Sequence, residues 1–391
     1  MIKFEEALKM VLAAARLLNV EAVDIQQSSG RILREDVVAD LDMPPFDKSA
    51  MDGYACREKD LRNPLKVIEI IPAGKQPEKN VGENQCSKIM TGSVVPAGAD
   101  CVIMIEHTGL DETGRVRFSR EKTRNNICYR GEDVKTGDMV LKKFTRIGPQ
   151  HVAVLATFGC VTPLVSKKPR VGIMATGDEL VEPSKTPNPC SIRNSNSYQL
   201  FTQVLAADAL PTYYGIAEDR EDVIDNSLRQ ALAENDVVLI SGGVSMGDFD
   251  LVPDAMRRNK LDIKFDSIAM KPGKPTHFGV SKEGCCFGLP GNPVSTYLQF
   301  EILIKPFLYK LMGHDYRCRC STAVMADNFR VRRSDRESWL PVSLSANNEV
   351  IPLEYHGSAH INALGFADGF IVIPIGIKEL SKGSIQSVRH I

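Results

Sequence analysis

The chain has 391 residues, with 48 Lys and Arg against 49 Asp and Glu, a formal net charge of −1 that offers no support for binding to nucleic acid or to an anionic membrane surface. No apolar run approaches the roughly 18 residues a membrane span needs. Glu5 and Glu6 sit inside the first amphipathic stretch, which is unlike a signal peptide, so a cytoplasmic protein is expected. The length exceeds what one hydrophobic core organises, and two to four domains are expected. The ten cysteines contain no paired C-x-x-C spacing and read as reduced thiols.

Taken in order, Phe4, Ala7, Leu8, Val11, Leu12 and Ala15 recur at helical spacing and predict an amphipathic helix over 3–18. Short strands follow at 23–25 and 37–38. Pro44-Pro45 excludes helix, and Asp52-Gly53 predicts a tight turn beside Asp47, Lys48 and Ser49. On the residues alone this is a solvated turn. Between 65 and 119 the pattern changes to strands at 66–71, 87–90, 101–106 and 116–119, with loops at Thr91-Gly92 and 96–100. Two acids then flank a glycine turn in Gly131-Glu132-Asp133. Residues 149–159 form a compact helix with Pro at its start and Gly just past its end. It is expected to pack back near the N-terminal helix, which makes the β-rich stretch an insertion.

From Pro169 strands and helices alternate. Strand 170–175 runs into Thr176-Gly177-Asp178-Glu179, helix 195–205 and strand 212–216 follow, and Asp219 is expected to cap helix 220–234. The β-branched run 236–241 leads into Ser241-Gly242-Gly243-Val244-Ser245-Met246-Gly247-Asp248-Phe249-Asp250, with a helix expected from near Asp248 to about 258. Strand 263–265 precedes Met270-Lys271-Pro272-Gly273-Lys274-Pro275. Strand 285–289 ends in Pro290-Gly291-Asn292-Pro293-Val294-Ser295, which opens a long helix to about 312. Repeated βα units predict a doubly wound parallel sheet with helices on both faces. Strands at 349–353, 369–374 and 384–389 predict a small β-barrel-like C-terminal domain. The fold class is therefore multidomain α/β plus β: an N-terminal composite of 1–40 with 130–168, an inserted β-rich domain over 41–129, a central α/β domain over 169–313 and a C-terminal β-domain over 314–391.

Strands of a parallel sheet share one carboxyl edge, where ligands bind. The loops 176–180, 241–250, 271–275 and 290–295 should therefore line one crevice. Gly242 and Gly247 have the spacing of a Walker loop, but Asp248 and Phe249 stand where Lys and Ser or Thr belong, and no G-x-G-x-x-G occurs. The loop reads as anion-binding with a divalent cation held by Asp248 and Asp250. Glu179 adds a carboxylate, and Lys271 and Lys274 add cations for oxyanions. No Ser-His-Asp or Cys-His arrangement recurs, and metal-assisted chemistry on a phosphate-bearing substrate is expected. His107 and His277 read as structural.

These motifs, together with Ser49-Ala-Met-Asp52-Gly-Tyr-Ala and Pro96-Ala-Gly-Ala-Asp100, resemble the molybdopterin molybdenumtransferase family of the bacterial MoeA and gephyrin E-domain type, in family order across almost the whole chain. The resemblance implies an elongated homodimer and a molybdopterin-binding central domain. It implies Mg²⁺-dependent insertion of molybdenum from molybdate into adenylated molybdopterin with release of AMP, and a molybdopterin adenylyltransferase as pathway partner. Carried over by position, Glu179, Asp219 and Asp250 are the acidic, metal-holding groups. Asp52 and Asp133, with Thr91, come from the facing subunit. Thr176, Gly177, Ser241, Gly242, Gly243, Ser245, Pro290, Gly291 and Asn292 surround the substrate. Lys271, Lys274, Arg336 and Ser358 hold molybdate. The sequence departs from the family near the last two: a Gly-Arg-x-x-Phe element reads Asp335-Arg336-Glu-Ser-Trp339, and Gly-Ser-His reads Gly357-Ser358-Ala-His360. Two other activities share features with this reading. A molybdopterin adenylyltransferase has the same α/β fold, but lacks the extra domains. A non-catalytic gephyrin-like scaffold would be expected to carry a long linker, which is absent here.

Overall fold

The computed structural model describes residues 1–244, 250–331, 333–354, 357 and 359–391. The chain opens with helix α1 (Phe4–Ala13), strand β1 (Val20–Ala22) and strand β2 (Val37–Val38). It then enters a four-stranded sheet made of β3 (Gly53–Cys56), β4 (Lys66–Ile71), β5 (Gln85–Ile89) and β6 (Cys101–Met104), in the order β4-β5-β3-β6. Strand β7 (Met139–Leu141) returns to pair with β2, helix α2 (Pro149–Thr157) follows, and β8 (Leu164–Ser166) pairs antiparallel with β1. The β-rich unit is thus inserted between two halves of another unit. Asp42 closes the neck: its carboxylate accepts bonds from the Thr136 backbone N–H at 2.9 Å, the Thr136 hydroxyl at 2.8 Å and Arg130 Nε at 2.6 Å.

Two expectations about this region are corrected. The first strand lies at Val20–Ala22, not 23–25, because Asp24 accepts the Gln26 backbone N–H at 2.8 Å and turns Ile25–Gln27 into a 3₁₀ segment. Helix α2 does not pack back near α1. Leu155 of α2 joins Leu33, Val37, Leu141 and Val165, whereas Ala7 and Val11 of α1 are buried in the core of the central domain. Phe4 further meets Trp339 edge-on, with ring centroids 5.5 Å apart.

The central domain alternates β9 (Arg170–Thr176), α3 (Asn196–Ala206), β10 (Leu210–Ala217), α4 (Glu221–Glu234), β11 (Val237–Ser241), α5 (Val252–Arg258), β12 (Asp262–Phe265), the short β13 (Met270–Lys271), β14 (His277–Val280) and β15 (Cys285–Leu289). Its sheet runs β10-β9-β11-β15-β14-β12. The period-2 pattern of a doubly covered strand is visible in β11. Val237 and Leu239 face a core shared with α1, α3 and the helices after β15, while Val238 and Ile240 face a second core with α4 and α5. One feature corrects the all-parallel expectation: β14, which the sequence reading did not contain, runs antiparallel to β15 and β12. The chain from β12 to β14 therefore makes a return across one edge of the sheet.

After β15 come α6 (Pro293–Gln299), a π-helical turn (Phe300–Ile304) and α7 (Lys305–Leu311). The Lys305 N–H reaches back five residues to the Phe300 carbonyl, and Pro306 has no N–H to continue that pattern, which leaves the Glu301 carbonyl open. The Glu301 carbonyl is taken instead by Arg389 at 2.8 Å, a residue of the C-terminal unit. That unit is a closed five-stranded barrel of β16 (Cys320–Met325), β17 (Glu337–Leu344), β18 (Glu349–Pro352), β19 (Gly369–Ile373) and β20 (Ile385–His390), closed by β17–β19 pairing. Closure removes the exposed sheet edges. Strand β13 of the central domain adds to β17, with Met270 opposite Glu337 and Lys271 opposite Ser338. No helix among the described residues is long and apolar enough to cross a membrane.

Two expected outcomes follow from this packing. Phe287 is fully buried, with its ring centroid 4.7 Å from Phe278 and 5.7 Å from Phe307. Phe287→Ala is expected to cost about 3–5 kcal/mol in urea unfolding. The Asp42 carboxyl is held at about 2, chiefly by the Thr136 backbone N–H and then by its hydroxyl and Arg130. A carboxyl depressed in the folded state stabilises the fold above its unfolded value, and that stabilisation disappears as pH falls through the folded one. Asp42→Asn should therefore flatten the loss of stability between about pH 4 and pH 2, followed by thermal unfolding across that range.

Candidate active site

In-register pairing sets Ala175 beside Ser241 and Ser241 beside Leu289, so three parallel strands end at the same height. The turns leaving them must pass one another at backbone distance. Gly242 has φ +100°, and a Cβ there would lie 2.3 Å from the Thr176 carbonyl oxygen. Gly243 has φ +62°, and its Cβ would press on the Thr176 and Val252 side chains at 2.9 and 3.0 Å. Only glycine fits both positions. The Gly242 N–H donates to the Leu289 carbonyl at 3.0 Å, so the pair's first task is to lock adjacent strand ends.

A cleft of about 730 Å³ opens over this edge. Its lining includes Thr176, Gly177, Glu179, Asp219, Ser241, Gly242, Gly243, Asp250, Pro290, Gly291 and Asn292, all of them positions the sequence reading singled out. Asp219 is not the helix cap it was expected to be. Arg220 occupies the start of α4 without a side-chain cap, and the Asp219 carboxylate instead accepts bonds from the buried Thr176 hydroxyl and the Asp178 backbone N–H. This turns Asp219 toward the cleft. Glu179 is exposed at the rim and Asp250 is half-buried. Among the described residues, no three His, Cys, Asp or Glu side chains gather as a ready-made metal cage. The donor set suits Mg²⁺ rather than a caged cation, since Mg²⁺ commonly takes one or two carboxylates and completes its shell with substrate phosphate and water.

Other expected residues lie elsewhere. Lys271 and Lys274 are exposed on the return between β12 and β14 and do not line the cleft, although Pro275 beside them does. Arg336 reaches the same return from the barrel, with Nη1 3.4 Å from the Met270 carbonyl. Asp52, Thr91 and Asp133 belong to the inserted unit and its neck, away from the cleft lining of this chain. There the Asp52 carboxylate accepts the Thr91 backbone N–H at 2.6 Å and its hydroxyl at 2.7 Å, and these bonds hold its carboxyl below the usual range. Asp133 is exposed, with its backbone N–H on the Met43 carbonyl at 3.0 Å. Ser245, Asp248 and Ser358 lie outside the described residues, as does the expected helix start near Asp248. The described helix begins at Val252.

The sequence reading missed the stretch 192–196, which enters α3 across the cleft. Asn196 is its key member: Nδ2 donates 2.7 Å bonds to both Ser241 Oγ and the Gly291 carbonyl, tying two of the loops together. The signal was topological. A right-handed βα crossover places every helix start at the strands' carboxyl edge.

Residues 2–159 match the family described as the MoeA N-terminal region (domain I and II), 172–310 a probable molybdopterin binding domain, and 322–388 the MoeA C-terminal region (domain IV). A molybdopterin molybdenumtransferase of Bacillus subtilis strain 168 is 35% identical over 401 residues, covering 99% of this chain and 93% of that one. One from Staphylococcus epidermidis is 34% identical, covering 99% and 95%. The crystal structure of the molybdopterin biosynthesis MoeA protein of Pyrococcus horikoshii OT3 superposes with a TM-score of 0.85 at 31% identity, covering 99% of this chain and all of that one.

The glycine geometry yields a contrast. Gly242→Ala is expected to lose about 1–3 kcal/mol through strain at positive φ and its collision with backbone. Gly291→Ala, whose Cβ would meet nothing nearer than Gly242 Cα at 3.9 Å, should stay within about 0.5 kcal/mol of the parent. Chemical denaturation of the two variants measures both.

Proposed function

We propose how this chain, which belongs to the MoeA family of molybdopterin molybdenumtransferases, carries out its reaction. It inserts molybdenum from molybdate into adenylated molybdopterin and releases AMP. The observation carrying this reading is the convergence of Glu179, Asp219 and Asp250 with the Gly242-Gly243 turn on one cleft at the carboxyl edge of the sheet. A pyrophosphate lying along that edge meets glycine turns too tight for any side chain and the starts of α3 and α6, whose backbone dipoles favour negative charge. One or two carboxylates of the set Glu179, Asp219 and Asp250 would hold Mg²⁺ against the pyrophosphate, with phosphate and water completing its shell. The ion would supply charge neutralisation for the departing phosphate.

Molybdate is a doubly charged tetrahedral oxyanion and calls for converging cations. Lys271, Lys274 and Arg336 supply them on the return beside Pro275, at the joint between the central domain and the barrel. Ser245 and Ser358 would add hydroxyl donors. Thr176 keeps Asp219 aimed into the cleft, and Asn196 keeps the Ser241 and Gly291 loops at a fixed spacing. Asp52, Thr91 and Asp133 are assigned to the cleft of a second copy, which makes the working unit a homodimer. The domains over 1–40 with 130–168, 41–129, 169–313 and 314–391 act as its four parts, with α1 built into the core of the third. A cytoplasmic location and supply of the substrate by a molybdopterin adenylyltransferase complete the reading.

Asp250→Ala and Lys274→Ala test it. Each is expected to lower molybdate-dependent AMP release by about 10²-fold or more while leaving the circular dichroism spectrum and unfolding midpoint unchanged. Full activity in both variants would overturn the assignment.

A further inference from the structure

We infer that Gln299 is a positioning residue for the oxyanion, acting through the backbone of the Lys271–Lys274 loop. The inference rests on the reading of those lysines given above. Gln299 ends α6 and is fully buried beneath the loop. Its Nε2 donates to the Gly273 carbonyl at 3.0 Å and lies 3.1 Å from Met270 Sδ, so one amide touches both ends of the segment that carries Lys271. The buried Thr276 hydroxyl donates to the same Gly273 carbonyl at 2.9 Å. With both lone pairs of that carbonyl occupied, the peptide between the two lysines has one orientation.

The fit is tight from the other side as well. Gly273 has φ +105°, and a Cβ built there would lie 2.2 Å from Gln299 Nε2. The amide therefore fills the space a side chain at 273 would need. The other half of the amide argues against a purely structural role. Gln299 Oε1 is buried and has no hydrogen-bond partner among the described residues. An unsatisfied buried carbonyl destabilises the fold, and an apolar side chain of similar size would avoid that cost. What the glutamine contributes beyond packing is the bond to Gly273.

The same loop also carries the strand that docks the barrel, through Met270 opposite Glu337, Lys271 opposite Ser338, and Arg336 on the Met270 carbonyl. Gln299 thus braces from below a loop that carries the exposed Lys271 and Lys274 and that Arg336 reaches from the barrel. A change of one hydrogen bond under the loop moves Lys271 and Lys274 relative to one another, while Glu179, Asp219 and Asp250 are carried by other loops of the cleft.

Gln299→Leu, with Gln299→Met as a second variant, tests this by titration calorimetry with molybdate alone and by steady-state AMP release. The dissociation constant and the KM for molybdate are expected to rise about tenfold, the loss of one positioning hydrogen bond. The kcat at saturating molybdate and the KM for adenylated molybdopterin should stay within about twofold, and the thermal midpoint within about 5 °C. Unchanged molybdate binding in a folded variant, or a fall in kcat without a change in that constant, would overturn the inference. So would failure of both variants to fold, which would make Gln299 structural. A wild-type protein that binds no molybdate would instead overturn the reading of the lysine loop, and this inference with it.

Discussion

Three parallel strands ending at one height impose the constraint on which the site depends. Once Ala175, Ser241 and Leu289 are fixed side by side by the ladder, the turns that leave them share a space narrower than a side chain. Gly242 answers that constraint by taking a positive φ and closing on the Thr176 carbonyl, with its own N–H on Leu289. The cleft above is a consequence: the backbone is drawn down at the strand ends, and Glu179, Asp219 and Asp250 are left around the opening.

Charge is divided across this structure. The described cleft lining carries three carboxylates and Arg193, while the lysines lie on the neighbouring return, where the barrel docks. Of the cations only Arg336 comes from the barrel, so its place beside the lysines depends on how the barrel is seated. That seating rests on β13 joining β17, on Arg389 taking the carbonyl that the π-helical turn leaves open, and on Phe4 against Trp339. The inserted sheet is held differently, by Asp42 at a narrow neck, and its Asp52 is already fixed by Thr91 without help from the cleft. In the proposed homodimer that acid would be presented to a second copy.

Much of this was legible in the residues. The run from Val237 to Ile240 announces a strand covered on both faces, and the two cores divide its side chains alternately as such a strand requires. The glycine turn and the acids around the edge were also readable, because their spacing reports on loops at strand ends. What was not readable depends on partners distant in sequence. The strand His277–Val280 follows a lysine- and proline-rich return and pairs antiparallel, an arrangement no βα pattern signals. Asp219 sits where a helix cap belongs, and only the Thr176 hydroxyl, 43 residues earlier, explains why it turns away. The amphipathic stripe of α1 showed that one face is buried but not against what, and the answer lies in the central domain rather than beside α2. Asn196 looks like an ordinary helix-start residue until Ser241 and Gly291 arrive on either side of it.

The most direct measurement of the central claim is the stoichiometry of the wild-type reaction, following AMP and protein-bound or released molybdenum cofactor from adenylated molybdopterin, molybdate and Mg²⁺. One AMP is expected for each molybdenum incorporated, with no release when molybdate is withheld. AMP formation that is indifferent to molybdate, or molybdenum incorporation without AMP, would contradict it.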